Sequence, residues 1–378
     1  MTLTFVIALV LAPGWAYLLG TAIAAVRFAR HPLPTAAEAP PVTMMMPLHG
    51  AEPGLYENLH SFAQQDYPLV QLVLGVGDSR DGALSAARAL IRDLPDSDIA
   101  LVVDARVRGS NQKVANLENM LAAARHDILV LADSDMRVDR RYLAAVTAPL
   151  LDTGTGAVTC LYQGVATAGK WAELGALHIN FGFLPSVLAA EVLGINRGCF
   201  GATIALRRET LSRIGGFIAV RDELADDQRI GEEVRAQGLG VVLSRYLVEA
   251  RVSEPSLAAL WFHELRWART IRTIAPAGFV GSVLTHAVAI SALGVAAAGF
   301  SLTACVFLVI SLMVRWVSAR VIAGALGFPA TKLWLLPLRD ALSFAVFVAS
   351  FFGRRVSWRD QVFQVAPTGR MSVDGDQA

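Results

Sequence analysis

The chain has 378 residues, 54% of them hydrophobic, with a formal net charge of +1. Its charged fraction is 17%, against about 25% for an ordinary soluble domain, and its mean hydropathy is +0.48. That balance gives no nucleic-acid surface and implies a soluble domain joined to membrane segments, while Cys160, Cys199 and Cys305 are spaced for neither a zinc site nor a disulfide framework.

Residues 1–26 carry no charge, and Arg27, Arg30 and His31 come directly after them. A span needs about 20 apolar residues. A cleaved signal would have a basic start and a shorter apolar core, so 1–26 reads as a retained anchor. The basic cluster puts the chain beyond it in the cytoplasm. Residues 27–41, with "HPLPTAAEAP", read as a linker.

From 42 to 272 short apolar runs alternate with helix-period stretches. Runs at 42–47, 71–76, 99–103 and 128–132 look like buried parallel strands, and 54–64, 82–92 and 112–125 like amphipathic helices. This alternation predicts an α/β, doubly wound sheet with its ligand crevice at the carboxyl ends of the strands. His49 and Glu52 come after the first run, Asp78 and Asp81 after the second, Asp133 and Asp135 after the fourth. Neither G-x-G-x-x-G after the first strand nor G-x-x-x-x-G-K-[ST] anywhere is present, which argues against dinucleotide and P-loop sites.

Residues 273–314 carry no charge except His286, enough for two spans with a break near 294–299. Arg315 and Arg320 then read as a cytoplasmic flank. The last apolar stretch, 341–353, is short, either a re-entrant or interfacial helix or a compressed further span. Arg354, Arg355 and Arg359 favour a cytoplasmic tail over 354–378, and so the re-entrant reading. The end of that tail, 368–378, reads as disordered.

"DSD" at 133–135 would suit a hard divalent cation, which takes one or two carboxylates plus substrate phosphates. The same letters also cap helices. Four further pieces narrow the choice: "PLHGAEPGLYENLHSFAQQDYP" (47–68), Asp78, "NQKVANL" (111–117) and "LADSD" (131–135). In this order they resemble the family 2 glycosyltransferases. "RGCFGATIALRRETLSRIGGF" (197–217), "LADDQRIG" (224–231) and "HELRW" (263–267) resemble that family's acceptor-side, base-carrying and (Q/R)-x-x-R-W segments. The whole resembles the ceramide glucosyltransferase branch. "INFGFLPS" (179–186), "VTCLYQG" (158–164) and "SEPSLAALWFHELRWARTIR" (253–272) most resemble its bacterial hopanoid enzymes, collinear over 1–365.

The resemblance implies a GT-A fold, a Rossmann-like mixed sheet with one N-terminal and two to three C-terminal membrane helices. It implies a multi-pass enzyme of the bacterial inner membrane, its catalytic domain facing the cytoplasm. That enzyme would be metal-dependent (Mg²⁺ or Mn²⁺) and inverting, moving a sugar from a UDP-sugar to a lipid hydroxyl. N-acetylglucosamine on bacteriohopanetetrol comes first, glucose on ceramide second. Asp135, with Asp133, would hold the metal. Asp78 would meet the nucleotide base, Glu52 the uridine, and Lys113 and Asp133 the donor. Asp227, second of the pair Asp226–Asp227, would be the general base, Arg266 would clamp the diphosphate, and Trp267 would wall the acceptor pocket. Phe181, Phe183, Leu184 and Pro185 would offer the lipid an apolar wall. His263 departs from the signature's Gln or Arg.

Each residue also has an ordinary reading. Asp78 could open an Asx-turn, Glu52 and Lys113 could be solvated helix residues, and Asp226 and Asp227 could be a helix start favoured by the dipole. Arg266, Arg269 and Arg272 could form a stripe drawn to anionic headgroups. A processive polysaccharide synthase shares these motifs but needs more spans. A non-catalytic adaptor predicts lost carboxylates, and all are present.

Overall fold

The computed structural model describes residues 3–34, 38–353, 355–358, 361–365 and 371–373, with side chains for 8–34 and 38–353. The chain forms two compact units. One comprises 32–165, 197–251 and 363–378, the other 1–31, 166–196 and 252–362.

The first unit is built on an eight-stranded sheet. Its strands are β1 (Val42–Leu48), β2 (Val70–Val76), β3 (Ile99–Val103), β4 (Ile128–Ala132), β5 (Met136–Arg137), β6 (Thr155–Ala166), β7 (Thr203–Arg207) and β8 (Gly240–Val252). They lie in the order β3-β2-β1-β4-β7-β6-β8-β5. β1 runs parallel to β2 and β4, and β2 parallel to β3. β7 runs antiparallel to β4 and β6, and β5 antiparallel to β8. The sequence thus reveals the parallel half, and the mixed sheet of the GT-A expectation is present. Every residue of β1 and β4 is buried, as strands covered on both faces must be. β1 has β2 on one side and β4 on the other, so the strand order reverses there and opens a crevice at the carboxyl ends.

Helices Leu55–Ala63, Ala83–Asp93 and Gln112–Met120 fall where the periodicity predicts. The third stops five residues before the expected 125. Buried Gln71 accounts for this, accepting from the Arg125 amide (2.9 Å) and donating to the Ala123 carbonyl (3.0 Å). The chain past Met120 is tied to β2 instead of continuing the helix.

The second unit is helical. Four of its helices are long and apolar enough to cross a membrane: Ala8–Ala29, Gly169–Val192, Leu302–Leu326 and Leu333–Ser350. A bent pair, Pro276–Thr285 and Ala287–Ala297, meets at 63°. The N-terminal helix is fastened to Leu302–Leu326 by Trp15 Nε1 donating to Ser311 (2.9 Å) and Ser318 donating to the Leu18 carbonyl (2.7 Å).

Several expectations need correction. Residues 166–196 and 252–272, placed in one catalytic domain over 42–272, group with the terminal helices. The break near 294–299 falls at 298–301, and a second bend occurs at His286. Arg315 and Arg320 are not flanks but lie inside Leu302–Leu326. Arg315 donates to Asp340 (2.9 and 2.8 Å) and to the Phe181 carbonyl (2.8 Å). The helix expected over 341–353 spans Leu336–Ser350, because Arg339 and Asp340 are paired with Glu264 and Arg315. In the tail, β9 (Arg355–Trp358), β10 (Gln361–Val365) and β11 (Met371–Val373) form a small sheet. β11 falls in the stretch expected to be disordered. Arg354, Arg359 and the remainder of the tail lie outside the described residues.

Candidate active site

β4 ends at the strand-order reversal and delivers Asp133, Ser134 and Asp135 before β5 begins. The turn is held from two sides. Asn58 donates to the Ser134 carbonyl (3.0 Å), and the Arg251 amide donates to the Asp135 carbonyl (3.0 Å). Ser134 Oγ donates to Glu52 Oε2 (3.2 Å), which brings the loop after β1 to the same place. Burial, then the charges of Asp133 and Glu52, push the Asp135 carboxyl up to about 7.

Helix Gln112–Met120 supplies the cation. Asn111 caps it, accepting from the Val114 amide (3.1 Å), while its amide nitrogen donates to the Glu223 carbonyl and to Asp226 Oδ1 (2.9 and 3.3 Å). The helix sits close on β2 because residue 75 is glycine. A Cβ there would come within 2.2 Å of Met120 Sδ, and Asn116 donates to the Gly75 carbonyl (2.9 Å). Lys113, in its first turn, reaches Asp133 Oδ1 at 2.6 Å. Burial opposes its charge, but Asp133, Asp226 and Asp227 outweigh burial and raise the amine's pKa.

Asp226 and Asp227 open helix Asp226–Ala236. Asp227 Oδ2 accepts from the Gly201 amide (2.9 Å) and Oδ1 from the Gln228 amide (2.8 Å). Burial, then Asp226, push its carboxyl up to about 6. Burial likewise raises Asp226, with Lys113 opposing. A Cβ on Gly201 would lie 3.2 Å from Asp133 Oδ2, 3.3 Å from Lys113 Nζ and 3.4 Å from Asp227 Oδ2. The D-x-D turn, the lysine and the acidic pair therefore meet around one glycine.

This cluster joins Glu52, Asp133, Asp135, Asp226 and Asp227 with one ammonium, Lys113. Among the described residues no three His, Cys, Asp or Glu side chains form a closed cation cage. The Asp135 carboxyl, buried beside Asp133 and Glu52, is pushed up to about 7 even with the Lys113 ammonium opposing the rise. The donor set therefore suits a hard divalent ion held by one or two carboxylates and completed by a diphosphate.

Asp78 stands at the end of β2 as expected, but it is exposed and accepts from the Arg80 amide (2.9 Å) and guanidinium (3.5 Å). The Arg80 amide is the main cause of its lowered pKa. The Asx-turn reading is thus present, and none of its described contacts is to the acidic cluster. Asp81 ties the loops after β1 and β2 together, accepting from the Gly50 and Ala83 amides (both 2.8 Å) and facing His49 Nδ1 at 3.3 Å.

Arg266 and Trp267 belong to the helical unit, on helix Leu257–Ile274, whose N-cap Ser256 accepts from the Ala259 amide (3.1 Å). His263 Nδ1 lies 2.7 Å from Glu254 Oε1, and its ring meets Trp267 edge-on at 4.4 Å. Arg269 and Arg272 are taken up by the Phe352 and Gly353 carbonyls (2.6 and 3.0 Å), not left as a free basic stripe. Phe181, Leu184 and Pro185 are buried, which is core and not an open wall; only Phe183 is partly exposed. The Cys199 thiol is buried and its pKa raised by burial and Asp227, unlike a nucleophile.

Asn111 carries site geometry that reading the sequence residue by residue passes over. Asn111 heads "NQKVANL" and sits where an N-cap would, so the signal is present.

The sequence matches the model of glycosyl transferase family 21 over residues 5–371. Ceramide glucosyltransferase 3 of Caenorhabditis elegans is 22% identical over 361 residues, covering 90% of this chain and 76% of that protein. Ceramide glucosyltransferase 1 of the same organism is 24% identical over 213 residues, 55% of this chain and 44% of its own length. The chain thus spans less than half of that second relative. Among solved structures, a mannosyltransferase from Pyrobaculum calidifontis in complex with GDP-Man and Mn²⁺ covers 93% of this chain and 99% of its own, at 19% identity and a TM-score of 0.52. That likeness shows the GT-A fold. The ceramide glucosyltransferase resemblance read from the sequence recurs in these relatives, under the family number 21 where the motifs suggested 2. With its model matched across nearly the whole sequence, the chain belongs to glycosyl transferase family 21.

Proposed function

We propose that this glycosyltransferase moves a sugar, with inversion, from a UDP-sugar to a hydroxyl of a membrane lipid. The observation that carries the reading is the meeting of Asp133, Lys113 and Asp227 around Gly201, with Asp135 beside Asp133.

Asp135, with Asp133, would hold Mg²⁺ or Mn²⁺, which supplies positive charge to the departing diphosphate. Lys113 adds a fixed cation on the same side as Asp133. Glu52, which accepts from Ser134 between Asp133 and Asp135, would face the uridine, and Asp78 at the β2 end would meet the base. Asp227 takes the proton of the acceptor hydroxyl. The Gly201 and Gln228 amides hold its two oxygens in place, and a carboxyl at about 6 is ionised at neutral pH yet more basic than an ordinary one. Asp226, bonded to Asn111, lends negative charge that keeps Lys113 protonated. Arg266 would grip the diphosphate and Trp267 would line the acceptor pocket.

The apolar N-terminal helix with Arg27 and Arg30 at its end supports a catalytic unit on the cytoplasmic face of a bacterial inner membrane. For the acceptor, the sequence resemblance favours N-acetylglucosamine on a hopanoid polyol. The names of the two relatives favour a second reading, glucose on ceramide. Detergent-extracted protein incubated with Mn²⁺ or Mg²⁺, a panel of UDP-sugars and both lipids, with mass spectrometry of the lipid fraction, separates them. A hopanoid polyol gaining one N-acetylhexosamine supports the first reading and a ceramide gaining one hexose supports the second. A product of growing chain length, or none, contradicts both.

A further inference from the structure

Two consecutive residues of opposite charge, Arg339 and Asp340, stand at the start of helix Leu336–Ser350, and each is spent on a different helix. Arg339 grips Glu264 through both guanidinium ends, Nη1 to Oε1 at 2.7 Å and Nη2 to Oε2 at 2.6 Å, with side chains only 1% and 5% exposed. Its Nε and Nη2 also donate to Ser343 (3.2 and 3.0 Å), one turn along its own helix. Asp340 accepts from Arg315, which in turn donates to the Phe181 carbonyl in a π-helical turn of Gly169–Val192. Rotation of Leu336–Ser350 would break both pairs together.

The same helix is fastened again at its far end. Arg269 and Arg272 donate to the Phe352 and Gly353 carbonyls, and the Arg272 guanidinium lies 5.8 Å over the Phe351 ring. The contacts run in one order, 264 with 339, 269 with 352, 272 with 353, so the two helices lie side by side in the same sense.

A buried ion pair is weak evidence for stability, since apolar residues of equal volume often serve as well. What a bidentate guanidinium–carboxylate pair does supply is a fixed angle. Glu264 and Arg266 are two residues apart, about 200° around the helix, so they occupy opposite faces. Pinning Glu264 inward determines where Arg266 points.

We propose that helix Leu336–Ser350 is a clasp that sets the rotation of helix Leu257–Ile274, and that Glu264 and Arg339 are positioning residues for the transfer. The inference rests on the reading that Arg266 and Trp267 serve that transfer. Neither Glu264 nor Arg339 touches substrate; both act through the helix that bears the signature.

The test replaces both partners, Glu264→Met with Arg339→Met, which leaves no uncompensated charge. The expected result is an unchanged melting temperature and unchanged KM for the UDP-sugar, with kcat lowered about 10²-fold, as a misplacement on the order of 1 Å produces. Full kcat in the folded variant overturns the proposal, as does a kcat that falls only in step with stability. Should that variant not fold, Arg269→Met with Arg272→Met removes the outer fastening from half-buried positions. A loss of kcat of at least roughly tenfold at unchanged donor KM supports the clasp, and full kcat overturns it. Arg266→Ala is measured alongside. If it keeps full kcat, the role given to Arg266 fails; if it is inactive while the clasp variants are fully active, only the clasp fails.

Discussion

The carboxyls of Asp135 and Asp227 are held above their ordinary values by burial first and by neighbouring carboxylates second, and the two displacements have different consequences. For Asp227, which must be ionised to accept a proton, kcat/KM should fall as pH drops through about 6 and level off above it. A profile flat from pH 5 to 8 would contradict the assignment. For Asp135, the metal-free fold binds protons more tightly than the unfolded chain. Its carboxyl therefore costs stability as pH rises from the unfolded value, near 4, through about 7. A divalent cation relieves that cost only where the carboxyl is ionised. Mn²⁺ should accordingly raise the melting temperature more at pH 8 than at pH 6, and an equal shift at both would contradict it. Gly201 limits the same cluster sterically. A methyl group at 201 would press within 3.2–3.4 Å of Asp133, Lys113 and Asp227. Gly201→Ala should lower kcat at least roughly tenfold, the scale of a sub-ångström shift of the base, with little change in melting temperature. Unchanged kcat would show that the convergence is not used.

At the scale of elements, legibility had local causes. β1, β2 and β4 were readable within a residue or two because strands buried on both faces are continuous apolar runs. β3 was readable as an apolar run too, but it is the partly exposed edge strand and not the buried one expected. β8 went unread because its alternation is interrupted by polar positions, and β7 because it is short; the partners of both are antiparallel and distant in sequence. The acidic stations were legible as motifs, and the structure brings Glu52, Asp133, Asp135, Asp226 and Asp227 together. It leaves Asp78 with Arg80, as turn chemistry alone would. The start of helix Leu336–Ser350 was misjudged because charges at 339 and 340 end an apolar run in any local reading. Their neutralising partners lie 75 and 25 residues away. No window of adjacent residues contains that information.

At the scale of the whole molecule, strand pairing constrains membrane topology. Helix Gly169–Val192 is long and apolar enough to cross a bilayer. Yet it connects β6 to β7, which pair in one sheet. The proposed membrane placement therefore expects both of its ends on one side of the bilayer. Single cysteines at Ala168 and Asn196, in a variant lacking Cys160, Cys199 and Cys305, should both react with a membrane-impermeant thiol reagent from the cytoplasmic side. Labelling from opposite sides would contradict this. Helix Leu257–Ile274, with Glu264, Arg266, Arg269 and Arg272, is too charged for hydrocarbon.

The central claim is that the carboxylates gathered around Gly201 perform the transfer, Asp227 as the base. The most direct measurement is sugar transfer to lipid by Asp227→Asn, alongside Mn²⁺-dependent UDP binding by the same protein. The expected result is a kcat lowered about 10²–10⁴-fold with UDP affinity retained. Wild-type turnover in that variant would contradict it.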